Sequence, residues 1–230
     1  MSADLSHLEN FKGTARLFPL PNLVLFPFVV QALHIFEPRY RHMTADALAD
    51  DRLLAMALLR PGWEADYEGR PRLFPVVCLS RIVSEQRLED GRYNLQVRGL
   101  SRARILEEMD DGKPYRSARV EILSDIAVPT PATDQKLRRQ LVKTVPAWCS
   151  AEKSLARVFH KLLHSHLGLG MVCDILSFVL PLSVGAKQEL LSLPEVDKRV
   201  RYFLGYLKAH ASDDSEAVKP LKFPPDFSPN

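Results

Sequence analysis

Residues 17–40 read LFPLPNLVLFPFVVQALHIFEPRY, an apolar run that proline interrupts at positions 19, 21, 27 and 38. This stretch constrains the fold more than any other. A membrane-spanning helix needs about 20 consecutive apolar residues, and each internal proline deletes a backbone donor and clashes with the preceding turn. The segment before it, MSADLSHLENFKGTAR, carries Asp4 and Glu9 and has no compact basic start leading into an apolar run, so it does not read as a secretory leader. Two readings remain: a set of short buried strands, or an exposed apolar surface that binds something.

The chain has 230 residues, enough for one large domain or two small ones with a real core. Its 31 basic and 28 acidic residues leave a formal charge of +3, too small a balance to predict a nucleic-acid partner by itself. Cys78, Cys149 and Cys173 are far apart and form no C-x-x-C pair. A disulfide framework or zinc ribbon is not expected, and a soluble protein of the reducing cytoplasm is.

Two regions with different periodicity follow. In YNLQVR, 93–98, Tyr93, Leu95 and Val97 alternate with Asn94, Gln96 and Arg98, the period of a half-buried strand. Asp90-Gly91 separates it from the β-branched run FPVVCLSRIVSEQRL, and Asp111-Gly112 separates RARILEEM from YRSARVEIL. Both dipeptides are hairpin turn signals. RLLAMALL at 52–59 reads as a buried strand, and RPGWEADYEGRPR at 60–72 as a polar loop carrying Trp63 and Tyr67. One helix interrupts the strands: Pro38 suits its first turn, and Tyr40, Met43, Ala47 and Leu48 recur at helical spacing.

Beyond residue 125 the pattern is helical. Thr133 is the expected N-cap of a helix that Pro146 kinks or ends. A second helix is expected over 152–166, a third along the stripe Val172, Ile175, Leu176, Val179 and Leu180, and a short fourth capped by Ser183. A last one places Val196, Val200, Phe203, Leu204 and Leu207 on one face. AVPTPATD, 127–134, reads as the joint between the halves, and the polar, proline-rich end as a flexible tail.

Catalytic signatures are missing. The only Gly-Lys pair, Gly112-Lys113, is followed by Pro114 and makes no phosphate loop; there is no G-x-S-x-G and no H-E-x-x-H. Glu107-Glu108 and Asp110-Asp111 sit at a hairpin, where solvated charge explains them. His160 and His164 share a helix face at four-residue spacing, but nothing nearby completes a first shell of metal ligands, so no metal or cofactor is expected. Phe18, Phe26, Phe28 and Phe36 are expected to be core in the main, with Phe26, Phe28 and Phe36 the ones that could face a ligand instead. Trp63 and Tyr67 are candidate contacts because loops carry binding function and these rings are common anchors.

Several motifs taken in order resemble the N-terminal, substrate-binding domain of Lon proteases. They are LFPLPNLVLFP, the helix entry HIFEPRYRHM, the hairpin around EDGRYNLQV, the glycine-basic VRGLSRARI at 97–105, and MVCDILSFVLPLSVGAKQELLSLPEVDKRVRYFLGYL at 171–207 with Pro181-Leu182 and Lys187-Gln188. The resemblance covers residues 14–209. It implies an α+β fold, with a PUA-like antiparallel β-barrel over 14–126, a helical bundle over 132–211, and flexible termini at 1–13 and 212–230. It also implies recognition of unfolded or extended polypeptide segments by a non-enzymatic module, a stand-alone form related to protein degradation. Without a nucleotide loop or a Ser-Lys peptidase signature, ATP hydrolysis and proteolysis are not implied. The alternative is RNA binding, since PUA-like barrels bind RNA and Arg98, Arg102 and Arg104 could share a strand face. No membrane partner is expected, and oligomeric state stays open.

Overall fold

The computed structural model describes residues 8, 11–67, 69–148 and 153–210. Most of the N-terminal segment, the 211–230 tail and Cys149 lie outside the described residues. The chain divides into two compact units, with the boundary between Ser124 and Asp125.

The first unit is a six-stranded mixed sheet with one helix: β1 (Thr14–Leu20), β2 (Val30–Ile35), α1 (Pro38–Ala49), β3 (Leu53–Leu58), β4 (Val76–Arg87), β5 (Tyr93–Met109) and β6 (Ser117–Leu123). The strand order is β2-β5-β4-β3-β1-β6, and β5 pairs with β6 as well. The expected all-antiparallel sheet is corrected here, because β1 runs parallel to β3. The chain reaches β3 only after β2 and α1, and that long crossover permits a parallel pair where a tight hairpin would not.

The prolines of the opening run mark the joints. Pro19 lies in β1 beyond the stretch 14–16 that pairs with β6, so β1 has no strand on that side to miss its N–H. Pro21 and Pro27 fall in the connection to β2, and Pro38 opens α1. β3 is buried along its whole length, as its unbroken apolar sequence requires. Leu17, Ala55, Val77, Leu79, Ala103 and Val120, drawn from five strands, meet in one apolar cluster.

RARILEEM does not form a strand of its own. It continues YNLQVR as the 17-residue β5, whose N-terminal part pairs with β2 and β4 and whose C-terminal part pairs with β6. Gly99 sits where the 26–29 segment crosses it. Phe28 N–H donates to the Gly99 carbonyl at 2.8 Å and Gly99 N–H to the Val29 carbonyl at 2.9 Å. A Cβ at Gly99 would lie 2.1 Å from the Phe26 carbonyl oxygen, so only glycine fits that approach.

The second unit holds α2 (Pro131–Trp148), α3 (Lys153–Leu163), α4 (Leu169–Val179), α5 (Val184–Ser192) and α6 (Val196–Ala209). α2 starts earlier than Thr133. Thr130 is the cap, its Oγ1 accepting from Thr133 N–H at 3.2 Å, and Pro131 takes the first-turn position it is pre-shaped for. Pro146 lies inside α2, two residues before its end. Ser183 caps α5 by accepting from Ala186 N–H at 3.2 Å. α6 packs against α2, α4 and α5, and its five stripe residues Val196, Val200, Phe203, Leu204 and Leu207 are all buried.

Charge is also buried in this unit. Arg199 and Asp174 have fully buried side chains, with Nε 3.4 Å from Oδ1. Arg199 donates through both terminal nitrogens to Asp125, at 3.0 and 2.5 Å. Burial alone would lower the Arg199 pKa; the facing carboxylates of Asp174 and Asp125 outweigh it and hold the guanidinium above its ordinary value. Lys187 donates to the Phe178 carbonyl at 2.7 Å, satisfying one of the orphan carbonyls at the end of α4. No helix among the described residues is long and apolar enough to cross a membrane.

Candidate functional site

The 60–72 loop is closed at its base, where Arg60 N–H donates to the Arg72 carbonyl at 2.8 Å and Leu59 bridges Leu73. Gly62, at φ 88, turns the chain into a 3₁₀ turn over Trp63–Asp66, a conformation glycine adopts without steric cost. The turn sets the Trp63 ring edge-on to Tyr67, with centroids 5.5 Å apart. Tyr67 hydroxyl donates to Glu37 Oε1 at 2.8 Å, and Glu37 Oε2 accepts from Arg39 Nε at 2.9 Å. The Arg39 guanidinium lies 4.8 Å from the Tyr40 centroid and 5.1 Å from that of Tyr67. Glu37 and Arg39 therefore pin the loop to the start of α1 by a charge-assisted bond and one cation–π contact, that of Arg39 with Tyr67.

The β5–β6 turn forms the facing wall. Tyr115 hydroxyl donates to Asp46 Oδ2 at 2.5 Å, while Lys113 Nζ lies 3.1 Å from the same oxygen and 2.9 Å from the hydroxyl. Arg116 donates through Nε to Glu108 at 2.8 Å and through Nη1 to the Pro71 carbonyl at 2.7 Å. That last bond ties the turn to the loop.

Between these walls is a cleft of about 300 Å³. Arg39, Arg70, Lys113 and Arg116 line it with Tyr40, Tyr67 and Tyr115; Pro19, Leu59, Pro71 and Pro114 supply apolar surface. The carboxylates of Glu37, Asp46 and Glu108 hold the cations from behind and are not among the lining residues. Burial raises the pKa of Tyr40, Tyr67 and Tyr115, with Glu37 and Asp46 adding to it at the last two, so all three stay neutral phenols at neutral pH. Hydrogen bonds to Tyr115 and Asp46 raise the Lys113 pKa, and the Tyr115 hydroxyl and Lys113 keep the Asp46 carboxyl below its usual range. The cleft holds a fixed charge pattern suited to an anion flanked by apolar groups.

Of the residues singled out in sequence, Tyr67 lines this cleft, and Trp63 packs on the Tyr67 ring without lining the cleft itself. Phe26 is fully buried and belongs to the core, because the segment carrying it threads under Gly99. Phe28 is half-buried with a left-handed backbone at φ 70. Phe36 is 39% exposed and stacks on His34, with centroids 6.2 Å apart. Neither lines the cleft. Arg102 is 2% exposed, so Arg98, Arg102 and Arg104 do not form one solvent-facing basic patch. His160 and His164 stack at 4.2 Å, and His164 Nδ1 is engaged by the His160 carbonyl. Among the described residues no group of three His, Cys, Asp or Glu side chains could hold a metal. Cys78 and Cys173 are buried thiols.

Sequence reasoning missed Arg39, Lys113, Tyr115 and Arg116. A signal existed: PRYR at 38–41 and KPYR at 113–116 each join a proline, a tyrosine and two bases.

The family model for the substrate-binding domain of ATP-dependent protease La (LON) matches residues 14–209. Lon protease of Anaeromyxobacter dehalogenans is 25% identical over 210 residues, 88% of this chain and 24% of that protein. Lon protease of Haemophilus influenzae is 25% identical over 209 residues, again 88% of this chain and 25% of the relative. The chain thus spans about a quarter of the length of these curated relatives. Among solved structures, the N-terminal domain of Mycobacterium avium complex Lon protease superposes with a TM-score of 0.69 at 16% identity, covering 86% of this chain and 99% of that one. A Lon N-terminal domain protein from Xanthomonas campestris gives 0.59 at 23% identity, covering 84% and 98%.

Proposed function

The chain belongs to the family of Lon protease substrate-binding domains, and from that premise we propose that it is a non-catalytic module that holds unfolded or extended polypeptide and serves as an adaptor in protein quality control or degradation. The observation that carries this reading is the family match across residues 14–209, which takes in both units. The cleft supports it: tyrosine rings, prolines and paired cations are chemistry for gripping a chain, and no activated nucleophile stands among them. We read the first unit as a PUA-like barrel, because the pairings β5–β4–β3–β1–β6 return to β5. The second unit we read as a helical bundle. Trp63 and Tyr67 would be contact residues, with Phe36 extending the surface. The burial of Arg102 removes support from the RNA-binding alternative.

Fluorescence titration with an unfolded model protein tests the proposal. Saturable binding with a dissociation constant on the order of tens of micromolar or tighter is expected. Binding that fails to saturate, or that a folded control protein matches, would overturn it.

A further inference from the structure

We propose that the cleft between the 60–72 loop and the β5–β6 turn is a carboxylate subsite, which takes an anionic group carried by the bound polypeptide. The inference rests on the polypeptide-binding reading above and names the chemistry of its ligand.

Arg39 carries the argument. Its guanidinium is fixed on three sides before any ligand arrives, by the Tyr40 ring at 4.8 Å, the Tyr67 ring at 5.1 Å and Glu37 at 2.9 Å. Glu37 takes Nε, the Tyr67 side chain lies alongside, and among the described residues no carboxylate pairs with the two terminal nitrogens. That leaves a planar, pre-oriented fork at the edge of a cleft, the geometry that binds a carboxylate through two parallel bonds. Arg70 and Lys113 line the same cleft and add positive potential, and among the described residues no acidic side chain lines it to repel the ligand.

A carboxylate on a peptide fits better than a free dianion. Glu37, Asp46 and Glu108 each pair with a lining cation from behind, which lowers the potential available to a second negative charge. Pro19, Leu59, Pro71 and Pro114 give contact to the carbon skeleton that carries the charge, which inorganic phosphate would leave unused. The carboxylate could come from a chain terminus or from an Asp or Glu side chain; both present the same two oxygens.

Trp63, packed on Tyr67, reports on the site. The full chain is titrated with one short apolar peptide in four forms: C-terminus free or amidated, and its single acidic residue Glu or Gln. The form with neither carboxylate is expected to bind at least about tenfold more weakly than the best form. The free-terminus and Glu arms show which source is used. Arg39→Gln and Arg39→Lys should both shrink that ratio, the second because lysine keeps the charge without the fork. Arg70→Gln, at an exposed loop position, should shrink it by less while leaving the thermal midpoint unchanged, so the test survives if Arg39 variants unfold. Equal affinity for all four peptides sinks the carboxylate subsite while the polypeptide reading stands. Displacement of the peptide by equimolar inorganic phosphate sinks it too, marking a general anion site. No binding of any form removes both proposals.

Discussion

Asp174→Ala should destabilise the helical unit by about 3 kcal/mol, and the structure gives the reasons for that size. Asp174 and Arg199 have fully buried side chains, and their charges face each other at 3.4 Å. At an effective dielectric constant of about 20, attraction at that distance is roughly 5 kcal/mol. Part of it is offset because the alanine variant no longer buries a carboxylate. Breaking a buried pair usually costs about 3–5 kcal/mol. The lower end applies here, because Arg199 keeps both bonds to Asp125 and a third, at 3.1 Å, to the Leu193 carbonyl. Arg199→Met should cost more, about 4–5 kcal/mol, because it strips the cation from the buried Asp174 and from Asp125 together. The double variant should fall short of the sum of the two by about 2 kcal/mol. Urea denaturation in a Trp63→Phe background measures this. Trp148 then reports alone, and its indole N–H is bonded to the Leu207 carbonyl of α6 at 3.1 Å. Single substitutions that each cost under about 1 kcal/mol and add independently would refute the reasoning and make the buried charges bystanders.

Other perturbations probe the remaining supports. Gly99→Ala should destabilise the sheet unit by roughly 3 kcal/mol or more, since its Cβ would meet backbone 2.1 Å away; a thermal melt checks it. Thr130→Ala should cost about 1 kcal/mol by removing the α2 cap, whereas Thr133→Ala should leave that cap in place; urea midpoints of the two separate these assignments. Lys187 supplies a pH test. Burial pushes its pKa down from 10.5 to about 8, so between those values the unfolded chain binds a proton that the folded chain does not. Stability should therefore rise with pH across that window, by on the order of 2 kcal/mol from pH 8 to 10, and Lys187→Met should abolish this slope in denaturation curves.

Local chemistry was legible where the deciding atoms are close in sequence. Asp90-Gly91 and Asp111-Gly112 announced their turns, and both glycines hold positive φ, at 80° and 71°. Ser183 capped the helix it was expected to cap. Thr133 was displaced because TPAT offers two threonines around one proline, and the proline settles the matter by fitting only inside the first turn. The parallel β1–β3 pair could not be read, because a strand's partner is chosen by side chains far along the chain.

The cleft was hidden for the same reason. Its cations lie at 39, 70, 113 and 116, and each reads alone as a solvated base. Glu107-Glu108 shows how the strand resolves such ambiguity. Adjacent residues of β5 face opposite ways. Glu107 pairs with Arg119 at 3.2 Å where both side chains are largely exposed, so it carries the solvated charge that the sequence suggests. Glu108 points to the other side, where it fixes Arg116, which in turn reaches the Pro71 carbonyl and anchors the loop. A carboxylate pair that looks redundant in sequence is thus divided by the pleat into one surface charge and one structural support. The support serves the cleft only because β5 runs on past Gly99 to bring residue 108 beside the loop.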